Sequence, residues 1–343
     1  MKEVYIVSAE QISIQQPLVD DWMSTPVSYG TSYIRSLDPS FKDFITPIEG
    51  RRMGKILKRA MATSITALKH AGIEKPDAII TGTGLGCIEN TEKFLCSMCN
   101  DGENLLTPTS FMQSTHNTIS SLIAIHTHNN GYNATYSHRG ISFESALYDA
   151  WTQMQLDKIT SALVGAHDEV TPTVYSLAEK IGVNGKICGE ASVSMVLSTS
   201  DRCRQSAMCR LAGIKIMYRP SHQQINDALK KVLSDAGKRM TDIDAVVLGV
   251  NGNADNDIHY HNNRDIFENI PLIQYKHLFG DCFSASALGV YVAATCINKE
   301  VIPEHLFINN RDKKYIRPKS IIIFNQSDGK NYSIILLESL CGE

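Results

Sequence analysis

The chain has 343 residues, 43% of them hydrophobic and 20% charged, enough apolar side chain to bury a large core in one big domain or two fused halves. A net charge of −3 and a pI of about 6.4, with Lys and Arg spread along the chain, leave no basic field for a phosphate backbone and exclude nucleic acid as an expected partner. No run approaches the roughly 18 consecutive apolar residues that span a bilayer, and nine cysteines without a secretory leader point to a reducing, cytoplasmic setting.

The opening stretch, residues 1–10 (MKEVYIVSAE), holds one early Lys and an apolar run too short and interrupted for a secretory signal, so it reads as a first β-strand. Met53, Ile56, Leu57, Ala60 and Ile65 recur at helical spacing and predict an amphipathic helix closed by Gly72, with a buried strand over residues 77–82. The run TGTGLG, residues 81–86, places glycines at 82, 84 and 86. The third falls one position early for a dinucleotide fingerprint, and the predicted feature is a close-packed turn. Cys96 and Cys99 form a CxxC that could serve redox or zinc chemistry, but Cys203 and Cys209 have the wrong spacing for a second half-site; ordinary thiols are expected.

Residues 162–164, 192–197 and 214–217 read as further buried strands, with Asp168 and Glu169 as a structural turn. Then the earlier pattern returns. Ile225, Ala228, Leu229, Val232 and Leu233 share a helical face, Gly237 closes the helix, and residues 244–249 form a strand. His259 and His261 read as part of a polar loop. Residues 283–297, rich in Ala, Val and Leu, predict a helix buried on every side, and residues 321–324 and 333–337 close the chain as strands.

The echo between halves, with strands apolar on both faces, predicts an α/β fold of layered sheets with buried helices between them. The halves, residues 1–200 and 201–343, share one body, because no Ser/Gly- or Pro-rich linker separates them.

Motifs along nearly the whole chain carry a family resemblance. The stretch 107–117 (TPTSFMQSTHN) is similar to the loop and helix start before the nucleophile strand of β-ketoacyl synthases. Residues 162–168 (ALVGAHD) resemble that family's strand after the nucleophile helix, and Gly189-Glu190-Ala191 its Gly-Glu-Gly/Ala turn. Val301-Ile302-Pro303 and residues 324–331 (FNQSDGKN) resemble its Ile-Pro turn and terminal Gly-rich loop. The resemblance implies a thiolase-like fold, two pseudo-repeated α/β halves in an αβαβα arrangement. It also locates three catalytic corners, in residues 133–142 (NATYSHRGIS), 248–257 (LGVNGNADND) and 276–289 (KHLFGDCFSASALG).

Condensing relatives carry a Cys nucleophile at the first corner and a His at each of the others. Here those positions read Gly140, Asn251 and Asp281. Gly140 cannot be acylated, Asn251 could donate one hydrogen bond, and an anionic Asp281 would repel a developing enolate unless burial kept it protonated. The terminal loop, which in catalytic relatives closes over the acyl thioester, holds Asn325, Gln326, Ser327, Asp328 and Lys330.

The resemblance therefore implies a chain-length-factor-like, non-condensing subunit that pairs with an active synthase in fatty acid, polyene or polyketide biosynthesis. The compact format is similar to aryl-polyene, flexirubin-type and dialkylresorcinol systems. It binds no cofactor or metal itself, and an acyl carrier protein brings phosphopantetheine to the partner. Phe111, Met112 and Thr115 are candidate tunnel or interface contacts, with plain core packing as the alternative. Two rival readings stay open: an active acyltransferase or synthase with a displaced nucleophile, Ser137 or Cys282 near His277, or a homodimer that holds an acyl chain.

Overall fold

The computed structural model describes residues 2–103, 106, 108–309 and 316–340. The first half runs β1 (Tyr5–Ile12), the one-turn helix α1 (Pro47–Gly50), α2 (Lys55–Ala71), β2 (Ala78–Gly82), α3 (Ile88–Asp101), α4 (Pro108–Gln113), α5 (Thr118–His126), β3 (Tyr132–Tyr136), α6 (Ser142–Gln155), β4 (Ser161–Asp168), α7 (Pro172–Lys180) and β5 (Ala191–Ser198). After a short α8 (Asp201–Arg204), the second half runs β6 (Cys209–Tyr218), α9 (His222–Asp235), β7 (Ala245–Leu248), α10 (Ala254–His261), β8 (Leu272–Gln274), α11 (Lys276–Phe279), α12 (Ala285–Asn298), β9 (Ser320–Ser327) and β10 (Asn331–Glu338).

Strand order makes the internal repeat explicit. The ladder reads β3-β2-β4-β5-β1-β6-β10-β9-β7-β8. Taken outward from the middle, each half follows the same path: β1-β5-β4-β2-β3 and β6-β10-β9-β7-β8. The directions match too, since β2 is parallel to β3 and β4, and β7 to β8 and β9, while β5 and β10 pair antiparallel with both neighbours. Within the ladder the two halves meet where β1 pairs with β6, at Tyr5↔Arg210 and Ile6↔Cys209, and a further bridge, Cys188↔Asp281, links them outside the named strands.

Alternation along each strand explains why the runs are apolar throughout. Ile79, Leu163 and Val196 face outward beneath α2 and α5, whereas Ala78, Ile80, Ala162 and Val164 face the centre. In the second half, Val246, Ile322, Phe324, Ile334 and Leu336 pack outward under α9, and Val247, Ile321, Ile323, Ile335 and Leu337 pack inward. Helices α6 and α12 fill the central layer. Every residue of α12 from Ala285 to Ile297 is buried, as its unbroken apolar sequence requires.

The boundary signals operate as their chemistry predicts. Gly72 takes a left-handed conformation (φ 65°) and donates its N–H to Leu68 and Lys69, and Ser221 with Gln224 forms a capping box at the start of α9. One expectation is corrected: His259 and His261 lie on α10 rather than in a loop, because Asn253 accepts from the Asp255 N–H and caps that helix.

Candidate functional site

The connections after β3, β7 and β8 meet at the carboxyl ends of the parallel strands, where α/β folds place their ligands. They line a cavity of about 490 Å³ that includes Gly140, Asn251 and Asp281. Gly140 sits in a single tight turn, Arg139–Ile141, immediately before α6. An added Cβ there would fall 2.8 Å from Ser327 Oγ and 3.2 Å from its Cβ, so the Ser327 side chain occupies the room that a residue-140 side chain would need. Gly140→Cys is expected to cost about 1–3 kcal/mol by overpacking, and Ser327→Gly in the same chain to restore most of it. Urea denaturation of the two single variants and the double variant reads this coupling; a stable Gly140→Cys protein would refute it.

The other two corners are tied to each other. Asn251 donates its side-chain N–H to Asp281 Oδ2 at 2.6 Å, and Lys276 Nζ lies 2.8 Å from Asp281 Oδ1. Both Asp281 oxygens therefore accept. Burial works against the Lys276 ammonium, but the Asp281 carboxylate and neighbouring tyrosines override it and hold its pKa above the usual lysine range. The main chain is pinned as well. Asp257 accepts from the Asn251 and Gly252 N–H groups, and Asp281 exchanges backbone hydrogen bonds with Ile187 and Gly189. A donor spent on an internal carboxylate is not free to stabilise an enolate.

Below these corners lies a closed polar floor. Glu144, fully buried on α6, accepts from Asn325, Ser286 and Ser333, while burial raises its carboxyl above the usual range. The Tyr260 hydroxyl donates to Asn325 and receives the Gln326 N–H. Residues 324–331 do not form a closing loop. Asp328 and Gly329 take left-handed conformations (φ 55° and 62°) in the three-residue connection Asp328–Lys330 between β9 and β10, a tight hairpin turn closed by the Lys330 N–H on the Ser327 carbonyl, which the Asp-Gly sequence favours.

Asp168, at the end of β4, accepts from Thr83 Oγ1, from the Gly84 and Leu85 N–H groups, and from Ser284. It thereby clasps the Thr81–Gly86 turn, where any Cβ at Gly84 would overlap the Phe283 ring. That is the close packing the sequence predicts.

The two alternative nucleophiles are placed differently. Cys282 lines the cavity, but burial, with Asp168 and Asp281 nearby, holds its thiol well above the usual range, and His277 directs Nε2 to the His305 carbonyl. Ser137 is exposed outside the cavity lining. It lies beyond the end of β3, and the adjacent His138 pairs instead with Ser145 at 3.0 Å. Phe111, Met112 and Thr115, on and after α4, are exposed and outside both the cavity and the core; Thr107 lies outside the described residues. Among the described residues, no group of three or more His, Cys, Asp or Glu could hold a metal ion, and no helix is long and apolar enough to cross a membrane.

Lys276 was legible in the sequence only as the first residue of the third corner motif. Glu144 carried no signal and Ser327 stood out only as one residue of the terminal loop, because their partners come from opposite halves.

A double α/β repeat with a cavity formed by turns after equivalent strands defines a ketosynthase-type thiolase fold. The chain belongs to the β-ketoacyl synthase family: the model of its N-terminal domain matches residues 22–243. No curated protein matches the sequence. Among solved structures, the ishigamide ketosynthase/chain length factor aligns with a TM-score of 0.80 at 16% identity over 98% of this chain and 99% of that one. A β-ketoacyl synthase from Burkholderia phymatum STM815 aligns at 0.80 and 15% over 99% and 100%. The ketosynthase ApeO in complex with its chain length factor ApeC, from Xenorhabdus doucetiae, aligns at 0.73 and 14% over 98% of each chain.

Proposed function

We propose that this ketosynthase-like chain is a non-condensing, chain-length-factor-like subunit that pairs with an active β-ketoacyl-ACP synthase. The observation that carries the reading is the locked site. Gly140 offers no nucleophile, Ser327 fills the space beside it, and Asn251 and Lys276 are both committed to Asp281. Partnership draws support from the surface. Among the described residues β3 is an end strand of the sheet with no strand beyond it, an edge that can template another chain. The molecule also exposes Tyr132 on β3, Ile125 on α5, and Phe111 and Met112 on α4, with Met112 at 69% and Ile125 at 67%. Apolar exposure of this kind marks interaction surfaces.

In this reading, Phe111, Met112 and Thr115 meet the synthase and help bound its acyl tunnel, and an acyl carrier protein delivers the phosphopantetheine thioester to the synthase. Aryl-polyene and related pigment pathways are the proposed setting, in the cytoplasm, with residues 1–200 and 201–343 as the two halves of one body.

Co-expression with a synthase encoded beside it is expected to yield a stoichiometric complex that makes product, while the chain alone gives neither product nor an acyl adduct by intact mass. Product from the chain alone, or an adduct on Ser137 or Cys282, would overturn the reading.

A further inference from the structure

The cavity has kept a chemistry of its own. Two cationic side chains line it, Lys276 and Arg139. Lys276 is neutralised by Asp281, whereas the exposed Arg139 guanidinium has no hydrogen bond or ion pair among the described residues. Arg139 is held in a left-handed conformation (φ 53°), its carbonyl gripped by the Ser142 hydroxyl at 2.6 Å and by the Ser142 N–H. Such a conformation is unfavourable for a long side chain and fixes where that chain leaves the backbone.

Another wall is apolar and unfinished. Val174, Leu177 and Ala178 of α7, followed by Ile181 and Val183, line the cavity, yet no residue of α7 is buried, and Leu177, Ile181 and Val183 are all more than half exposed. The acidic side chains of the lining are Asp168, Glu169, Asp281 and Asp328. Asp168 and Asp281 have their oxygens engaged as described, Glu169 accepts from the Glu89 N–H, and Asp328 forms the hairpin turn. None pairs with Arg139.

We infer that this cavity binds an unbranched amphipathic carboxylate without covalent chemistry, Arg139 holding the carboxylate and the α7 wall the hydrocarbon tail. Its volume lies within the range of about 300–1,000 Å³ usual for small-molecule sites. A guanidinium holds a carboxylate through charge-assisted hydrogen bonds, and an apolar tail covers side chains that water now faces. The inference goes beyond pairing with a synthase and does not depend on it, because one chain builds the whole cavity.

Calorimetric titration of the isolated protein with decanoate and with decanol, both below their micellar or solubility limits, tests it. The wild type is expected to bind decanoate at least about tenfold more tightly than decanol, the scale of a charge-assisted contact. Arg139→Gln should erase that preference while leaving decanol binding unchanged, Arg139→Lys should keep part of it, and Leu177→Asn should weaken both ligands. Failure of decanoate to bind, a preference that survives Arg139→Gln, or indifference of both ligands to Leu177→Asn would each overturn the inference. Synthase pairing is read separately, so either idea can fail alone.

Discussion

Replacing Glu190 with Ala is expected to lower stability by about 3–5 kcal/mol, the usual cost of stripping one partner from a buried ion pair. Arg59 and Glu190 are 1% and 3% exposed, and Arg59 Nη1 donates to Glu190 Oε2 at 2.8 Å. The same carboxylate accepts the Ser36 and Val170 N–H groups. Ala would leave two backbone donors and part of a buried guanidinium unpartnered, with Asp38 as the remaining ion-pair partner of Arg59. Because Val170 also lines the cavity, the damage should reach the site. Urea unfolding of the variant decides the matter: a loss below about 1 kcal/mol would show that the pair is dispensable.

Glu169→Gln should do the opposite, and only above a certain pH. Burial, reinforced by Glu89 and Glu190, lifts the Glu169 carboxyl from 4.5 to about 7 against the opposing pull of the Glu89 N–H and Arg59. A group whose pKa is raised on folding favours the folded state while it is protonated in both states, below pH 4.5. That contribution fades as pH rises and is gone above about 7, where the buried carboxylate must be charged. The interval corresponds to on the order of 3 kcal/mol. Gln keeps the acceptor for the Glu89 N–H and removes the charge, so the variant should match the wild type near pH 4.5 and exceed it by roughly 2–3 kcal/mol at pH 8. Equal stabilities at pH 8 would refute the argument.

The two predictions start from residues that were unequally legible. Gly189-Glu190-Ala191 was readable as a family anchor, but its partner Arg59 was not, since the pair is 131 residues apart and nothing local links them. Glu169 read as a structural turn, which gave its location and not its titration; burial is a property of the packed molecule.

The three corners show the same division. Their places follow from motif order, because each lies at a fixed distance from a strand or helix whose period is written locally. The sequence also predicted what is absent there, a thiol and two imidazoles. It could not show that Asp281 would spend both oxygens on Asn251 and Lys276, or that Ser327 would stand against Gly140. The hairpin at Asp328–Gly329 was written in its dipeptide, but the family loop suggested a different shape.

Sequence alone sufficed for the buried strands, the repeated helix–glycine–strand units, the fully buried central helix and the glycine at position 140, because periodicity, caps and side-chain identity act over a few neighbouring residues. Only the tertiary structure decided which charges are paired, which hydroxyl fills the vacated space and which cation stays free. Those outcomes depend on how the two halves register across the central helices, and that register is set by packing between residues more than a hundred positions apart, such as Glu144 and Asn325.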